Sequence, residues 1–100
     1  MSDERLDDLR TESQIQGEII QELKERGAKV YRMNAGRGGR QNRSFNPNGT
    51  PDLFVVEPHR SYWIEVKTPS GKLSTDQEAE QKDLERYGQE VIVARGVEDV

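Results

Sequence analysis

Charged side chains stand at the ends of two short apolar runs in this sequence. Residues 51–67 read PDLFVVEPHRSYWIEVK, with Asp52 opening the first run and Glu65 and Lys67 closing the second. If residues 58–60 form a turn, the runs pair as a hairpin, and position 52 comes within about one residue of opposing position 65. Strand side chains alternate, so Glu65 and Lys67 share a face. We therefore expect two carboxylates and an ammonium group at one end of the hairpin.

These groups could hold a cation and hydrolyse a phosphate ester. Buried charge is unfavourable unless it is paired or bound to a metal. The carboxylates of Asp52 and Glu65, the backbone carbonyl of Val66 and water are suitable ligands for Mg²⁺. Lys67 could position or deprotonate a water molecule and offset charge on the phosphate. The alternative is a structural ion pair at a strand end, and the two strands alone leave both interpretations open.

A first helix is predicted over residues 11–26. Gly27 marks its end, and its apolar residues recur at helical spacing: Ile15, Ile19, Ile20 and Leu23. At about 100° per residue, Glu12 and Gln16 fall on this inward face, whereas Glu18 points away. Polar groups on a buried stripe need partners. A third carboxylate at the cation, with Gln16 orienting a ligand or water, would supply them. Alternatively, Glu12 only stabilises the positive end of the helix dipole.

A second helix is predicted from Ser74 to about residue 87. Ser74 and Gln77 have the spacing of a capping box, which is a sufficient structural reason for both. Gln77 also falls on the stripe formed by Leu73, Leu84 and Tyr87. It could cap the helix, contact the catalytic network, or do both.

The composition predicts one small domain over residues 11–100, after a flexible polar leader at 1–10. Of the 100 residues, 31% are hydrophobic and 34% are charged, so the core must be thin and a homodimer is expected. The absence of cysteine excludes disulfides and Cys-ligated zinc. No apolar run resembles a membrane span or signal peptide. We expect a cytoplasmic protein.

A basic segment interrupts an otherwise acidic chain. The net charge is −4, yet residues 28–51 contain five basic residues and no acidic one: Lys29, Arg32, Arg37, Arg40 and Arg43. Such a segment is a candidate for phosphate binding. The alternative is a loop kept soluble by its arginines. Within it, AGRGGRQNRSFNPNG is rich in Gly and Asn and predicts a long loop.

The remaining patterns complete the fold prediction. AKVYRMN alternates as a strand before the long loop, TPSGK is a second loop, and EVIVAR is a final strand. The predicted order is therefore α-β-β-β-α-β. This order suits an α/β fold in which a small mixed sheet is flanked by helices.

The motifs together resemble the stand-alone virus-type replication-repair nuclease (VRR-NUC) domain of the PD-(D/E)xK superfamily. Pro51-Asp52 followed by Glu65-Val66-Lys67 is a weak signature alone, but its surroundings make it specific. The resemblance covers residues 11–100 and includes Glu12-x-x-Ile15-Gln16, Arg32-x-Asn34-x-Gly36, Gly49-Thr50-Pro51-Asp52-Leu53 and Leu73-Ser74-x-x-Gln77.

The resemblance implies a restriction-endonuclease-like fold, dependence on Mg²⁺ or Mn²⁺, and cleavage of DNA. By this likeness Glu12, Asp52 and Glu65 would ligate the metal, Lys67 would be the catalytic lysine, and Gln77 would be the motif's helix glutamine. Minimal phage and bacterial members resemble Holliday-junction resolvases and act as dimers. We therefore expect a structure-selective endonuclease for branched DNA. The alternatives are a flap- or nick-directed endonuclease and a non-catalytic DNA-binding module.

Overall fold

The computed structural model describes residues 9–33 and 46–100. Its elements follow in the order α1 (Glu12–Glu25), β1 (Lys29–Arg32), β2 (Leu53–Glu57), β3 (Arg60–Val66), α2 (Thr75–Arg86), β4 (Val91–Ala94) and a short 3-10 turn (Val97–Asp99). The predicted order of helices and strands is confirmed. Most of the predicted leader and of the long basic loop, with Arg37, Arg40 and Arg43, lies outside the described residues.

Local sequence signals set both ends of α1. The Thr11 hydroxyl accepts a hydrogen bond from the Gln14 amide at 3.1 Å, and the Gln14 side chain accepts one from the Thr11 amide at 2.8 Å. This reciprocal cap satisfies backbone donors that the first turn leaves unpaired. The helix ends before Gly27, whose φ of 89° lies in the left-handed region that glycine adopts readily.

The four strands form one mixed sheet in the order β1-β2-β3-β4. Strands β1, β2 and β3 are antiparallel, and β4 runs parallel to β3. Glu57 pairs with Arg60, so Pro58 and His59 form the turn, and Arg60, which the predicted turn at 58–60 included, already lies in β3. Leu53 pairs with Ile64. Continuing this register places residue 52 opposite residue 65, which confirms the expected alignment.

The hydrophobic core lies between α1 and one face of the sheet, here called the core face. All of its members are buried: Ile15, Ile19, Leu23, Leu53, Val55, Tyr62, Ile64, Val66 and Ala94. Because strand side chains alternate, Phe54, Trp63 and Glu65 point to the opposite face, here called the site face. One face of β3 therefore holds the fold together, while the other presents functional groups.

Helix α2 is more exposed than the predicted stripe implied. The helix itself has no fully buried residue. Leu84 within it and Leu73 just before it are half-buried. The inward placement of Tyr87 was wrong, since its side chain is 75% exposed. The helix ends at Arg86 and Tyr87 is the C-terminal cap, with ψ of 13°, so helical periodicity no longer sets its direction. No helix in the described part of the chain has the length and apolar character needed to cross a membrane.

Candidate active site

The backbone of β3 fixes the carboxylate of Asp52. Asp52 immediately precedes β2, and its Oδ2 accepts a hydrogen bond from the Val66 amide at 2.8 Å. This bond ties the start of one hairpin strand to the end of the other. The sequence suggested a role for Val66 through its carbonyl, whereas the observed contact uses its N–H group. Metal ligation by the carbonyl of Val66 stays a prediction.

Glu65 is a buried carboxylate with only 3% of its surface exposed. Its Oε2 accepts a hydrogen bond from Nε2 of Gln77 at 3.0 Å. Burial, together with the charge and hydrogen bond of Asp52, raises the pKa of Glu65 to about 8, against a smaller lowering by Lys67. The carboxylate of Asp52 thus adds to the burial that disfavours ionisation of Glu65.

Lys67 is also buried, with 7% of its surface exposed. Its amide donates to the Ala94 carbonyl at 3.0 Å, which fixes the backbone beside β4. Its Nζ lies 3.7 Å from Oε2 of Glu12. The ammonium group therefore sits at the edge of the site, paired with the acid from α1.

Glu12 lies near the predicted site but is not buried on the inward stripe. Its side chain is 51% exposed. Glu12 is the first residue of α1. Glu18 is exposed and pairs with Arg10, which confirms that it points away from the site.

Gln77 performs both tasks that the sequence left open. Its Oε1 accepts a hydrogen bond from the Ser74 amide at 2.9 Å and completes the capping box. Its Nε2 simultaneously donates to Glu65. The helix cap therefore fixes the side-chain amide of Gln77, and this amide in turn orients the carboxylate of Glu65.

Gly49 brings the segment before Asp52 against the first turn of α2. It has φ of 83°, and a Cβ atom built there would lie 2.3 Å from the backbone oxygen of Asp76. Only glycine permits this approach. Sequence reasoning included Gly49 in a motif but gave it no structural role. Its Asn-Gly context was the available signal of a positive φ.

Sequence reasoning missed Arg95. Its Nη1 donates to the carbonyls of Thr68 and Gly71, both at 2.7 Å, and to that of Pro69 at 3.3 Å. This turn follows Lys67 directly, and a Cβ on Gly71 would lie 3.6 Å from Cδ of the lysine. Arg95 thus holds the turn against the lysine stem. No local pattern announces such a contact, because it joins residues far apart in the chain.

The other predicted site residues lie further from these contacts or outside the described part. Gln16 is half-buried on α1, and Arg32 is exposed at the end of β1. Two residues that were not predicted for the site also have defined places: Trp63 packs on Phe54 with ring centroids 4.7 Å apart, and His59 is exposed in the turn. Phosphate binding by Arg32 and by the three arginines of the basic loop stays a prediction.

The donor set fits a divalent cation, although the described residues do not form a ready-made cage. Among them, no three acidic or histidine side chains cluster closely enough to hold a metal ion. Glu12 pairs with Lys67 instead of completing such a cluster. However, Asp52 and Glu65 oppose each other, and a cation between them would relieve the repulsion that raises the pKa of Glu65.

The comparisons with known proteins agree on the class of this domain. A solved structure named as a VRR-NUC domain is similar to this fold with a TM-score of 0.68. The match covers 89% of each chain at 23% sequence identity, a level that supports the fold. The search among curated proteins found no match.

A model of the VRR-NUC domain matches residues 10–98, nearly the whole chain. The chain belongs to the VRR-NUC family, which confirms the resemblance seen in its motifs. It is therefore a nuclease of the PD-(D/E)xK type.

Proposed function

We propose that this nuclease is a Mg²⁺-dependent endonuclease that hydrolyses phosphodiester bonds in branched DNA, acting as a Holliday-junction-resolvase-like homodimer. One observation carries the catalytic part of the proposal. A buried carboxylate, Glu65, faces Asp52 and lies beside the buried Lys67, all at one end of a hairpin. Buried ionisable groups with shifted pKa values and charged partners cluster at functional sites.

Asp52 and Glu65 would hold the cation, with Glu12 and the Val66 carbonyl as further ligands and Mn²⁺ as a substitute for Mg²⁺. When bound, the cation supplies Lewis-acid stabilisation of the phosphate oxygens. Gln77 holds Glu65 in a fixed orientation through its amide. This preorientation matters because a carboxylate free to rotate would have to be ordered again in each catalytic cycle.

Lys67 is the group in place to act on the attacking water. Its stem is fixed by burial and by the adjacent turn, so its amine has few other orientations. In hydrolysis a bond forms from water oxygen to phosphorus, the bond to the leaving sugar oxygen breaks, and a proton leaves the water. Lys67 positions this water, or as a neutral amine receives its proton, and the ammonium so formed offsets charge on the phosphate. The leaving sugar oxygen takes a proton from solvent.

The basic segment supports DNA as the substrate. Arg32 is exposed at the end of β1, where the segment leaves the sheet, and Arg37, Arg40 and Arg43 follow in the sequence. Such arginines bind backbone phosphates and make no base-specific contacts. Replacing the three loop arginines should weaken DNA binding and flatten its salt dependence, which fluorescence anisotropy across a salt series measures. An unchanged slope would contradict phosphate contact.

The preference for junctions rests on symmetry and on the thin core. A four-way junction is approximately two-fold symmetric, so paired cuts require two sites related by a two-fold axis. An isologous homodimer supplies such a pair. The thin core also leaves apolar surface that a second copy could cover.

The decisive experiment compares labelled four-way junctions, flaps, nicked duplexes and linear duplexes, with Mg²⁺, Mn²⁺ or EDTA. Wild type should make symmetric paired cuts in junctions only when a divalent cation is present, and Lys67→Ala should bind but not cut. One-sided cuts on flaps or nicks would favour the flap- or nick-directed alternative. Binding without cation-dependent cleavage by the wild type would favour a non-catalytic module.

The role of Glu12 is tested within the same helix. Glu12→Ala should abolish cleavage because it removes both a proposed ligand and the partner of Lys67. Glu18→Ala is the matched control, since Glu18 is an exposed acid on the same helix that pairs with Arg10. Equal effects of the two substitutions would contradict a catalytic role for Glu12.

A further inference from the structure

Three aromatic residues form a row across the site face of the sheet. Tyr31 on β1 pairs with Phe54 on β2, and Phe54 pairs with Trp63 on β3. Directly opposed residues in antiparallel strands point to the same side. The row therefore lies on the face that carries Asp52 and Glu65. Its outer member, Tyr31, is 47% exposed.

The β1 end of this row is uncovered by the described elements. Helix α1 packs against the core face, and α2 approaches β4 but neither β1 nor β2. Trp63 is held at the covered end, where its indole N–H donates to Gln89 at 3.1 Å. Among the described residues, the row thus runs from a fixed tryptophan to an exposed tyrosine.

The charges around Tyr31 favour a nucleic acid as the occupant. Nζ of Lys29 lies 5.9 Å from the centroid of the Tyr31 ring. Arg32 is the next residue along the strand and is exposed, but it opposes Leu53 and so points to the other face of the sheet. Both basic residues belong to the segment 28–51, which contains five basic residues and no acidic one. On the site face, an exposed ring with a cation beside it matches a base and its adjoining phosphate.

The row also lies at a suitable distance from the candidate active site. The Met33 amide donates to the Asp52 carbonyl at 2.9 Å, so residue 33 continues the pairing of β1 opposite residue 52. Tyr31 lies two residues from this pair, about 7 Å along the strand and about 5 Å across to the next strand. The resulting separation of Tyr31 from Asp52, roughly 9 Å, is within reach of a nucleotide adjoining the scissile phosphate.

We propose that Tyr31, backed by Phe54, is a stacking platform for an unpaired base adjoining the cleaved phosphate, and that Lys29 contacts a phosphate of that strand. This inference rests on the proposed function and refines its substrate. The nuclease would select DNA in which a base next to the cut is unstacked, as at a branch point, over continuous duplex. Aromatic stacking accepts any base, so the platform confers selectivity for structure and not for sequence.

The test is done without divalent cations, so that no DNA is cleaved, and with a fluorescent base whose emission is quenched when it stacks. A branched DNA carries 2-aminopurine at an unpaired position next to the branch and is titrated with protein in EDTA. Wild type and Tyr31→Phe should quench the 2-aminopurine fluorescence. Tyr31→Ala should lose this quenching and bind the branched DNA roughly five- to tenfold more weakly, while its binding to linear duplex changes little.

Tyr87→Ala is the matched control, because Tyr87 is an exposed tyrosine that caps the far helix. It should behave as wild type. Equal quenching and affinity in Tyr31→Ala and Tyr87→Ala would overturn the inference. So would a change of oligomeric state in Tyr31→Ala by analytical ultracentrifugation, since the face would then be an interface between copies of this chain.

The outcome is separable from that of the proposed function. If wild type quenches the reporter base but never cuts DNA, the proposed function fails and the stacking platform stands. If wild type cuts branched DNA but Tyr31→Ala matches the control, only the platform is refuted.

Discussion

Replacing Glu65 by glutamine should stabilise the cation-free protein at high pH while abolishing catalysis. The pKa of Glu65 is raised from 4.5 to about 8, chiefly by burial and then by Asp52. Below pH 4.5 the carboxyl group is protonated in both the folded and the unfolded chain. Between the two pKa values the unfolded chain loses its proton and the folded chain keeps it, so the free energy of unfolding falls as pH rises. Above about pH 8 the full loss of stability caused by ionising Glu65 in the folded protein is present.

The two pKa values set the magnitude. At about 1.4 kcal/mol per pH unit, their separation corresponds to a ceiling of about 5 kcal/mol. Even a loss of about 3 kcal/mol would lower the melting temperature of a domain of this size by roughly 12–24 °C. Glutamine has nearly the same shape, remains neutral and can still accept the hydrogen bond from Gln77. Glu65→Gln should therefore lack this decline in stability.

Urea unfolding at pH 5, 7 and 9 in EDTA measures the effect. Wild type should lose stability across this window relative to Glu65→Gln, and Glu78→Gln, which changes an exposed acid, should follow wild type. Added Mg²⁺ should restore wild type at pH 9 and leave Glu65→Gln unaffected. If wild type and Glu65→Gln depend on pH in parallel, the assignment of Glu65 as a strained buried acid is refuted.

Three further predictions test the residues around this carboxylate. Ser74→Ala and Gln77→Ala should each destabilise α2 by about 1 kcal/mol through loss of the cap. Only Gln77→Ala should sharply reduce cleavage, because it also removes the hydrogen bond that orients Glu65. Equal cleavage rates in the two variants would contradict an orienting role for Gln77. Gly49→Ala should lower the free energy of unfolding by roughly 2–4 kcal/mol, measured in urea, because a Cβ there meets backbone at positive φ; an unchanged midpoint would argue against this packing. Arg95→Ala should reduce kcat more than it raises KM and shift the pH profile of cleavage, because the turn beside Lys67, the proposed catalytic lysine, loosens. A purely structural arginine would change stability alone.

Local signals made most of the fold predictable. The turn at Pro58 and His59, together with strict alternation along β3, fixes the register that brings Asp52 opposite Glu65. The capping box predicts the start of α2 and places Gln77 one turn inside it. These inferences succeeded because each depends on residues close in sequence or on a single hairpin.

Contacts between distant elements were harder to predict. Helical periodicity gave the direction of Glu12 but not its exposure, because periodicity alone does not show which neighbouring elements cover the first turn. The three carbonyls bound by Arg95 belong to a turn 24 to 27 residues away, and no sequence pattern encodes their convergence. Tyr87 shows the related limit, because periodicity fails at the residue where a helix ends.

The alternation of β3 explains how so small a domain can tolerate a strained acid. Tyr62, Ile64 and Val66 point into the core with α1, while Trp63 and Glu65 point the other way. The core contacts and the buried carboxylate therefore lie on opposite faces of the same strand. Tighter packing on the core face does not displace the side chains on the site face. A substitution on the core face should lower stability with little change in the pKa of Glu65, whereas one at Asp52 should lower that pKa directly. Separable responses of this kind are expected if the core on one face offsets the repulsion between Asp52 and Glu65 on the other.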